Sequence, residues 1–417
     1  MKVKILTVGC RLNKAETAQI EAILSNAGYE IIDKESPADI YLIHSCAVTA
    51  RAEEDSLRLC RIAKNQNPKS LVILAGCLSE LFIQKNKQNI QADIILGQKD
   101  KFNIIEALEK KQYLPKLKPQ KDTKVYPIFR SKRAIIKVQT GCSFNCSYCI
   151  VPKTRGPSTS RPMPEILEEV RIIAEKYPEI VLTGANLGCY EYKGKNLIDL
   201  IKAITEVPQI KRIRLSSIEI STIENKIIDI MAENEKICRY LHLPLQSGDD
   251  KTLQRMKRRY TLKQYINTIE YAINKLGTLG IGTDIIVGFP GETEEEFSNT
   301  YKILEKLPFS NIHVFSFSPR EGTEAYSLQN RINRQIISSR VNLLLQLAQH
   351  KKNIFAKQFI GKNVETLIEK VDSQKNIGKG WTKEYVFSEI SATTLYEKQI
   401  IKFTPELSNN GILIGKI

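Results

Sequence analysis

The sequence contains few cysteines, no long apolar run and fewer acidic than basic side chains. Nine cysteines in 417 residues are too few for a disulfide scaffold of this size. No window approaches the ~18 consecutive apolar residues of a transmembrane helix. The opening segment MKVKILTVGC lacks the longer apolar stretch of a signal peptide. We therefore expect a soluble, cytoplasmic protein that does not contact a membrane.

The charge balance is the one strong deviation from an ordinary globular composition. Lys and Arg total 62 against 46 for Asp and Glu, a formal net charge of +16, while 42% of the residues are hydrophobic. Such a basic excess indicates a polyanionic partner. Residues 115–137 concentrate it, with eight basic residues, one acidic residue and three prolines. This composition favours an extended basic linker, although a merely solvated connector would have the same pattern.

Length and hydrophobic patterning predict several domains. In residues 1–114, short β-branched runs alternate with helical patterns, which is typical of a doubly wound parallel sheet. A basic linker over 115–133 follows. The predicted strands of the first domain are 2–8, 39–43, 71–74 and 93–96, and its predicted helices are 14–26, 52–65 and 102–110.

The alternation resumes over residues 134–351. Six strands with crossover helices predict a partial (β/α)6 barrel rather than a full eight-fold one. A long helix is expected over 333–355, and short alternating segments broken by Gly, Asn and Asp predict a small all-β barrel over 352–417. The predicted barrel strands are 135–138, 180–182, 212–215, 240–243, 282–286 and 312–315, and the clearest helices are 164–176, 223–234 and 262–276.

The sharpest local motif is the CSFNCSYC run, in which Cys142, Cys146 and Cys149 have C-x3-C-x2-C spacing. Cysteine thiolates are the usual protein ligands of iron–sulfur clusters, and three ligands would leave one iron of a cubane open. The run follows a predicted strand, so it lies on a loop at the end of a barrel where active sites form. Three unrelated cysteines would rarely have this spacing.

A second set of three cysteines shares a different context. Cys10, Cys46 and Cys77 each come just after a predicted parallel strand. Because the carboxyl ends of parallel strands meet at one edge, the three thiols are candidates for a second cluster site, although buried packing cysteines are common. The remaining cysteines have no partner spacing, and we interpret them as packing or incidental residues: Cys60, Cys189 and Cys238. The four histidines, His44, His242, His313 and His350, are scattered and form no H-x-x-x-H pair. His44 is close to Cys46, and we expect it to pack in the core or behind the ligands.

The C-x3-C-x2-C loop resembles the signature of the radical S-adenosylmethionine (SAM) superfamily. The resemblance implies that Cys142, Cys146 and Cys149 ligate a 4Fe–4S cluster whose open iron binds SAM. Tyr148 occupies the aromatic position that packs against the adenine in that superfamily. Later strand ends are expected to line the SAM cavity, at Gly184, Ser216, Glu219, Gln246 and Gly288. Each of these five could equally be structural.

The two cysteine sets in this order resemble the methylthiotransferase family over essentially the whole chain. Supporting segments are VGCRLNKAET, LTGANLG, RLSSIE, HLPLQSGDDKTLQRMKRRYT, DIIVGFPGET and FSPREGT. The resemblance implies an N-terminal methylthiotransferase domain (1–114) with an auxiliary 4Fe–4S cluster on Cys10, Cys46 and Cys77. It further implies a radical SAM domain (134–351) and a TRAM-like RNA-binding domain (352–417). Arg11-Leu12 and Ala47-Val48 are mild departures that touch no ligand.

The family resemblance implies a reaction that uses two SAM molecules in different roles. One SAM donates a methyl group to sulfur on the auxiliary cluster, and a second SAM yields the radical that activates a C–H bond, so two are used per turnover. RLSSIE and KRRYT most resemble the branch that modifies C2 of N6-threonylcarbamoyladenosine 3′ of the tRNA anticodon. The alternatives are N6-isopentenyladenosine in tRNA and an aspartate of a ribosomal protein. The basic charge favours RNA. The electron donor is not identified by the sequence.

Two hypotheses of other kinds accompany this interpretation. A non-catalytic iron–sulfur protein that binds RNA would have the same charge and the same cysteines, but would release no 5′-deoxyadenosine. A radical enzyme with a different reaction could use the second cysteine set only for electron transfer.

Overall fold

The computed structural model describes residues 1–32, 36–87, 90–114 and 125–417. The first ten residues of the expected linker, 115–124, lie outside the described residues. The chain divides into two compact units. Unit 1 comprises Met1–Arg130, Thr140–Thr159 and Ser318–Tyr326, and unit 2 comprises Ser131–Gln139, Ser160–Phe317 and Ser327–Ile417. No helix in the described ranges is both long and apolar enough to cross a membrane.

Unit 1 is built on a five-stranded sheet that is parallel throughout. The order of the strands in the sheet is β2-β1-β3-β4-β5. In chain order its elements are β1 (Lys2–Thr7), α1 (Arg11–Asn26), β2 (Glu30–Ile31), β3 (Ile40–Ser45), α2 (Ala50–Gln66), β4 (Leu71–Gly76), α3 (Cys77–Gln84), β5 (Ile94–Leu96) and α4 (Ile104–Lys110).

Both faces of this sheet are covered by apolar side chains, as expected for a doubly wound sheet. Alternate residues of β3 point to opposite faces, so that Ile40 and Leu42 pack with α1 and α4. Tyr41 and Ile43 pack on the other face with residues of α2 and α3. The two central strands, β3 and β4, are therefore buried along their whole length, which explains their continuous apolar runs.

The next part of the chain supplies six parallel strands of a partial barrel. Two three-stranded parallel sheets, β12-β9-β6 and β13-β14-β15, are joined by single bridges from Ile213 to Ile237 and from Ser217 to His242. The elements are β6 (Ala134–Lys137), β7 (Gln139–Thr140), α5 (Val151–Arg155), β8 (Thr159–Ser160), α6 (Met163–Ala174), β9 (Glu179–Thr183), β10 (Glu191–Tyr192), β11 (Lys195–Asn196), α7 (Leu197–Thr205), β12 (Arg212–Leu215), α8 (Asn225–Glu233), β13 (Tyr240–His242), α9 (Asp250–Arg255), α10 (Leu262–Leu276), β14 (Gly280–Val287), α11 (Glu294–Lys306) and β15 (Asn311–Ser316).

The C-terminal part of unit 2 is a long helix followed by an all-β half-barrel. The six strands are arranged in the order β19-β16-β17-β18-β21-β20, and only β18 and β21 pair in parallel. Phe355 and Phe359 at the end of the helix pack into the core of this sheet. The elements are α12 (Arg334–Lys357), β16 (Val364–Asp372), β17 (Ile377–Thr382), β18 (Phe387–Ser391), β19 (Ile400–Phe403), β20 (Leu407–Asn409) and β21 (Ile412–Lys416).

A buried charge cluster joins the start of the barrel strands to this half-barrel. Glu179 is fully buried and lies 2.9 Å from Arg214 and 3.5 Å from Arg212. Arg212 also contacts Glu365 on β16 at 2.9 Å, and the Arg214 guanidinium donates to the Thr382 carbonyl at 3.0 Å. Burial raises the pKa of Glu179, but the neighbouring arginines outweigh it and hold the pKa below its usual range. The carboxylate is therefore ionised and anchors one part of unit 2 to the other.

The predicted element types are confirmed, whereas several boundaries differ. Strand β4 continues to Gly76 instead of ending at Leu74, because Ser45 and Gly76 still pair in the ladder with β3. Helix α3 starts at the next residue, Cys77, and was not predicted, since no turn residue separates it from the strand. Helix α1 begins at Arg11, three residues earlier than expected.

Candidate functional site

The three thiols that follow strands of unit 1 lie together at the carboxyl edge of its sheet. Cys10 caps the N-terminus of α1, Cys46 follows β3, and Cys77 is the first residue of α3. Cys77 and Cys10 both raise the pKa of the Cys46 thiol by their charge, and Cys10 does the same to Cys77. All three pairs are therefore within electrostatic reach, although the residues are dispersed in sequence.

Two glycines make room for this convergence. Gly9 has φ +106°, and a Cβ built on it would lie 2.8 Å from Cys46 Cβ and 2.9 Å from Cys46 Sγ. Gly76 has φ +104°, and its Cβ would lie 2.7 Å from His44 Cδ2. Only glycine adopts this backbone conformation without strain and leaves the space open. The backbone before Cys10 and Cys77 is thus shaped to bring thiols close to one another.

Burial favours the protonated form of two of these thiols, Cys46 and Cys77, when no metal is bound. Desolvation raises the pKa of Cys46 to about 12, and it also raises the pKa of Cys77, with Arg155 opposing the shift in both cases. Metal ligation requires thiolates, so loading a cluster here must release protons. Such a set of three clustered thiols suits iron or another soft metal rather than a hard cation.

Arg155 connects the thiol edge to a buried ion network. Its guanidinium forms a bidentate pair with Glu16, at 3.0 Å to each carboxylate oxygen, and donates to Asn13 Oδ1 at 2.6 Å. Lys101 donates to Glu16 at 2.6 Å and to Gln98 Oε1 at 2.5 Å. The exposed fractions of the Arg155, Glu16 and Lys101 side chains are only 3%, 2% and 1%.

The side-chain amides of Gln98 and Asn13 connect this ion network to Cys77 and Cys10. Gln98 donates from Nε2 to Cys77 Sγ at 3.2 Å. Asn13 Oδ1 lies 3.9 Å from Cys10 Sγ, and its Nδ2 donates to the carbonyls of Val8 and Ser45 at 2.7 and 3.0 Å. Two buried cations against one carboxylate give the region a positive balance. That balance offsets part of the negative charge that three thiolates bring.

The CSFNCSYC loop also belongs to unit 1 and is closed by backbone hydrogen bonds. The Cys142 amide donates to the Gly156 carbonyl at 3.0 Å, and the Cys149 amide donates to the Cys146 carbonyl at 3.0 Å. The Phe144 amide lies 3.4 Å from Cys142 Sγ. The three cysteines are half-buried, as is Tyr148. A looped chain with three accessible thiols fits a cluster that must also meet a small-molecule ligand.

Five predicted SAM-contacting residues lie in unit 2, at or beyond strand ends. Gly184 follows β9, and a Cβ on it would lie 2.6 Å from Gln139 Oε1, which accepts from the Ala185 amide at 2.8 Å. Gln246 has φ +67°, and its backbone N–H donates to the backbone carbonyl of Asp284 at 2.8 Å. Gly288 has φ +76°, and a Cβ there would lie 2.5 Å from Ile337 Cγ1. Packing against α12 therefore accounts for that glycine.

Ser216 and Glu219 leave buried polar atoms open to a ligand. Ser216 Oγ and Glu219 Oε1 have no hydrogen-bond partner in the part of the chain that the structure describes. The other Glu219 oxygen is paired with the Arg258 guanidinium. Unsatisfied buried oxygens are costly unless a ligand or water binds them. Both are at the carboxyl end of β12, where ligands bind in barrels of this type.

Several residues of these sites were not identified from the sequence. Glu16 lies in the VGCRLNKAET segment, but nothing in that segment indicates its partners, and Arg155 is 139 residues from it. The histidines, which we interpreted as unrelated, include two that meet on the barrel strands: His242 and His313 approach the same carboxylate, Asp284. Parallel strand order could have indicated this, since Asp284 pairs with His313 in the β14–β15 register.

Comparison with known families identifies the class of protein. Residues 136–304 match the Radical SAM superfamily, and residues 2–97 match a family described as uncharacterized protein family UPF0004. A radical SAM methyltransferase from Kitasatospora setae, TsrM, has a similar fold, with a TM-score of 0.52, 13% identity and coverage of 78% of this chain and 77% of TsrM. The chain is thus a radical SAM protein, which implies a 4Fe–4S cluster and SAM.

Curated relatives narrow the class to one family. A threonylcarbamoyladenosine tRNA methylthiotransferase of Aquifex aeolicus is 34% identical over 88% of this chain and 93% of its own length. One from Thermotoga maritima is 33% identical over 99% and 96%. A tRNA-2-methylthio-N(6)-dimethylallyladenosine synthase of Thermodesulfovibrio yellowstonii is 32% identical over 96% of both chains. This chain belongs to the radical SAM methylthiotransferase family.

Proposed function

We propose that this enzyme adds a methylthio group to C2 of N6-threonylcarbamoyladenosine, 3′ of the anticodon in tRNA. The observation that carries the proposal is the similarity to threonylcarbamoyladenosine tRNA methylthiotransferases, at 33–34% identity over 88–99% of this chain. The basic chain, with a net charge of +16, is suited to a polyanionic substrate such as the anticodon stem–loop.

A second candidate substrate is N6-isopentenyladenosine in tRNA. Relatives named as dimethylallyladenosine synthases are 31–34% identical over 88–96% of this chain, which is nearly the same similarity. The two substrates share the reaction and the RNA, and they differ in the N6 substituent. The first carries a carboxylate and a hydroxyl group, whereas the second is a hydrocarbon.

Each cysteine set would hold one 4Fe–4S cluster. Cys142, Cys146 and Cys149 are the proposed ligands of the radical cluster, and Cys10, Cys46 and Cys77 those of the auxiliary cluster. When bound, the clusters and two SAM molecules per turnover would supply radical formation and sulfur transfer to carbon. The chain's own contribution at the auxiliary site is electrostatic, because Arg155 and Lys101 are within reach of Cys77 and favour its thiolate form.

Residues of unit 2 would bind and orient SAM. The unpartnered oxygens of Ser216 and Glu219 can accept hydrogen bonds from its polar groups. Gln139 holds the turn at Gly184 by accepting from two successive backbone amides, at 2.8 and 3.1 Å. Tyr148, Gln246 and Gly288 stay predictions as SAM contacts.

For RNA binding we propose the basic segment 115–133, the C-terminal domain (352–417) and part of the KRRYT block. Within that block the Arg258 side chain is only 4% exposed and pairs with Glu219, so it is occupied inside the protein. Arg259 is exposed and lines a polar pocket of about 570 Å³ with Ser221 and Gln264. Arg259 is therefore, with the exposed Lys257, a basic side chain of this block at the surface where a phosphate could bind.

The cluster assignment is tested by iron content after anaerobic reconstitution. Two cubanes correspond to about eight irons per chain. Replacing Cys10, Cys46 and Cys77 together with Ala should leave about four, with 5′-deoxyadenosine production retained. Cys60→Ala, which removes a buried cysteine of the same unit, is the matched control and should retain the full iron content. Full iron in the triple variant would contradict the auxiliary-site assignment.

The RNA assignment is tested by the salt dependence of tRNA binding. Each lost phosphate contact should reduce the slope of log K against log salt by roughly 0.7–0.9. We expect Arg259→Gln to reduce the slope by about one contact. Lys226→Gln, a change of another exposed basic residue in unit 2, should leave the slope unchanged. Equal slopes for the wild-type protein and the Arg259 variant would remove Arg259 from the interface.

A further inference from the structure

Three neighbouring barrel strands present titratable side chains to one another. His242 is the last residue of β13, Asp284 lies in β14, and His313 lies in β15. In the sheet register His242 is opposite Gly282, two residues before Asp284, and Asp284 is opposite His313. Residues two apart on a strand share a face. The three side chains therefore lie on the same face of this sheet.

The ligand-type atoms of this trio lie at the spacing of a metal coordination sphere. His242 Nε2 is 3.3 Å and His313 Nδ1 is 3.1 Å from the same oxygen, Asp284 Oδ1. One nitrogen or oxygen from each of the three residues falls within 4.8 Å of the others. Tetrahedral ligands at about 2.0–2.1 Å from a metal are roughly 3.3 Å apart. The ligand atoms now lie within 4.8 Å of one another, so bringing the two imidazole nitrogens to roughly 3.3 Å apart would give three ligands of a tetrahedral site.

The second nitrogen of each imidazole is held by a neutral side chain. His242 Nδ1 is 2.9 Å from Ser217 Oγ, and His313 Nε2 is 3.0 Å from the Asn311 amide group. In metal sites the ligating histidine almost always donates its other ring N–H to such a partner, which fixes the tautomer and the ring orientation. Ser217 can give His242 that support, and Asn311 can give it to His313 once its amide is turned so that Oδ1 replaces Nδ2 beside Nε2.

The contact between His242 and Asp284 is not a hydrogen bond. His242 Nε2 is buried and has no hydrogen-bond partner in the described part of the chain. If Nδ1 donates its proton to Ser217, Nε2 directs a lone pair at the Asp284 oxygen. Two lone pairs at 3.3 Å repel unless a cation lies between them. In the other tautomer the Ser217 hydroxyl donates to Nδ1 and the Nε2–H faces the carboxylate, so a bound metal ion would take the place of that proton.

We propose that His242, Asp284 and His313 bind one divalent first-row transition-metal ion. Two imidazoles and one carboxylate are the ligand set of zinc and of non-haem Fe(II) sites with open coordination positions. His313 is 47% and Asp284 23% exposed, so the open positions can take water or an oxygen or nitrogen atom of a substrate. The set contains no sulfur, which separates it from both cysteine sites.

The test uses zinc alone on the holoenzyme, with both cysteine sets occupied by clusters. After equilibration with zinc and gel filtration, the wild-type protein should retain one zinc per chain. His313→Gln and Asp284→Asn should each lower zinc affinity at least tenfold. Ser217→Ala, which removes a supporting contact, should lower it by about tenfold. His350→Gln removes an exposed histidine on α12 and is the matched control, with zinc retained.

Iron content and X-ray absorption at the zinc edge make the result decisive. Because the His313 side chain is half-exposed, its variant should keep the wild-type iron content, which shows that it has folded. The zinc edge of the wild-type protein should show nitrogen and oxygen neighbours only. Sulfur neighbours, no retained zinc in the wild-type protein, or equal zinc in the His313 and control variants would each overturn the proposal.

Discussion

The buried ion network of unit 1 predicts a large cost for one isosteric change, Glu16→Gln. The Glu16 carboxylate holds Arg155 through two contacts of 3.0 Å and Lys101 through one of 2.6 Å. Both cations are almost wholly buried, so neutralising Glu16 leaves two buried positive charges without their anion. Breaking a buried pair in this way costs about 3–5 kcal/mol.

The free-energy cost of Glu16→Gln corresponds to a measurable loss of hydrogen-exchange protection. The amide introduced by Glu16→Gln can still accept hydrogen bonds, so we take the lower end, about 3 kcal/mol, or roughly a 100-fold change in the opening equilibrium of unit 1. Hydrogen–deuterium exchange of the metal-free protein measures this change locally. Protection of the buried half of α1, around Ile20 and Leu24, should fall by about that factor.

The control for this experiment is Glu106→Gln in the same unit. Glu106 pairs with Lys110 at 2.7 Å, but both side chains are largely exposed. Exposed pairs contribute little to stability, so protection in α1 should not change. A decrease of less than about fivefold in the Glu16 variant, or an equal decrease in the control, would refute the reasoning that this network is a buried electrostatic anchor.

Two further predictions concern unit 2 and the free thiols. Glu179→Gln leaves buried arginines without their anion, so the free energy of unfolding should fall by about 3–5 kcal/mol. Urea unfolding followed by the fluorescence of Trp381, the only tryptophan in the sequence, measures this loss. An unchanged midpoint would contradict the anchor role. Burial raises the pKa of Cys60 and Cys238 to about 11, from 9.0. At pH 8 the thiolate fraction of each is roughly 100-fold lower than that of a thiol with a pKa of 9.0, so in the metal-free protein maleimide should label exposed Cys10 far faster. Because the folded state favours the thiol form, these cysteines stabilise the fold below pH 9 and lose that contribution as pH rises towards 11. Comparable labelling of all three would contradict the burial.

Local patterns were sufficient to predict the order and type of most elements in both units, but not the short strand β2 or helix α3. Apolar runs bounded by turns indicated the parallel strands, and the position of Cys10, Cys46 and Cys77 after strands indicated their shared edge. The pairing of Glu16 with Arg155 could not be predicted, because it joins residues 139 apart and no local pattern around either residue points to the other. Long-range charge pairing depends on how elements pack, which periodicity does not encode.

The same limitation explains the histidines and one helix. His242, Asp284 and His313 come from three strands, and only the strand register brings their side chains to one place. Helix α3 was missed because Cys77 follows Gly76 directly, and the strand pattern gave no sign of a change in backbone conformation. Gly76 makes that change possible through its φ of +104°.

Mass spectrometry of nucleosides in bulk tRNA, from a strain that lacks this gene, tests the central claim most directly. We expect the methylthio derivative of N6-threonylcarbamoyladenosine to disappear and its unmethylthiolated precursor to accumulate, with the isopentenyladenosine derivative unchanged. Expression of the wild-type chain should restore the product, and a Cys142→Ala variant should not. Loss of the isopentenyladenosine derivative instead, with the threonylcarbamoyl derivative intact, would contradict the account.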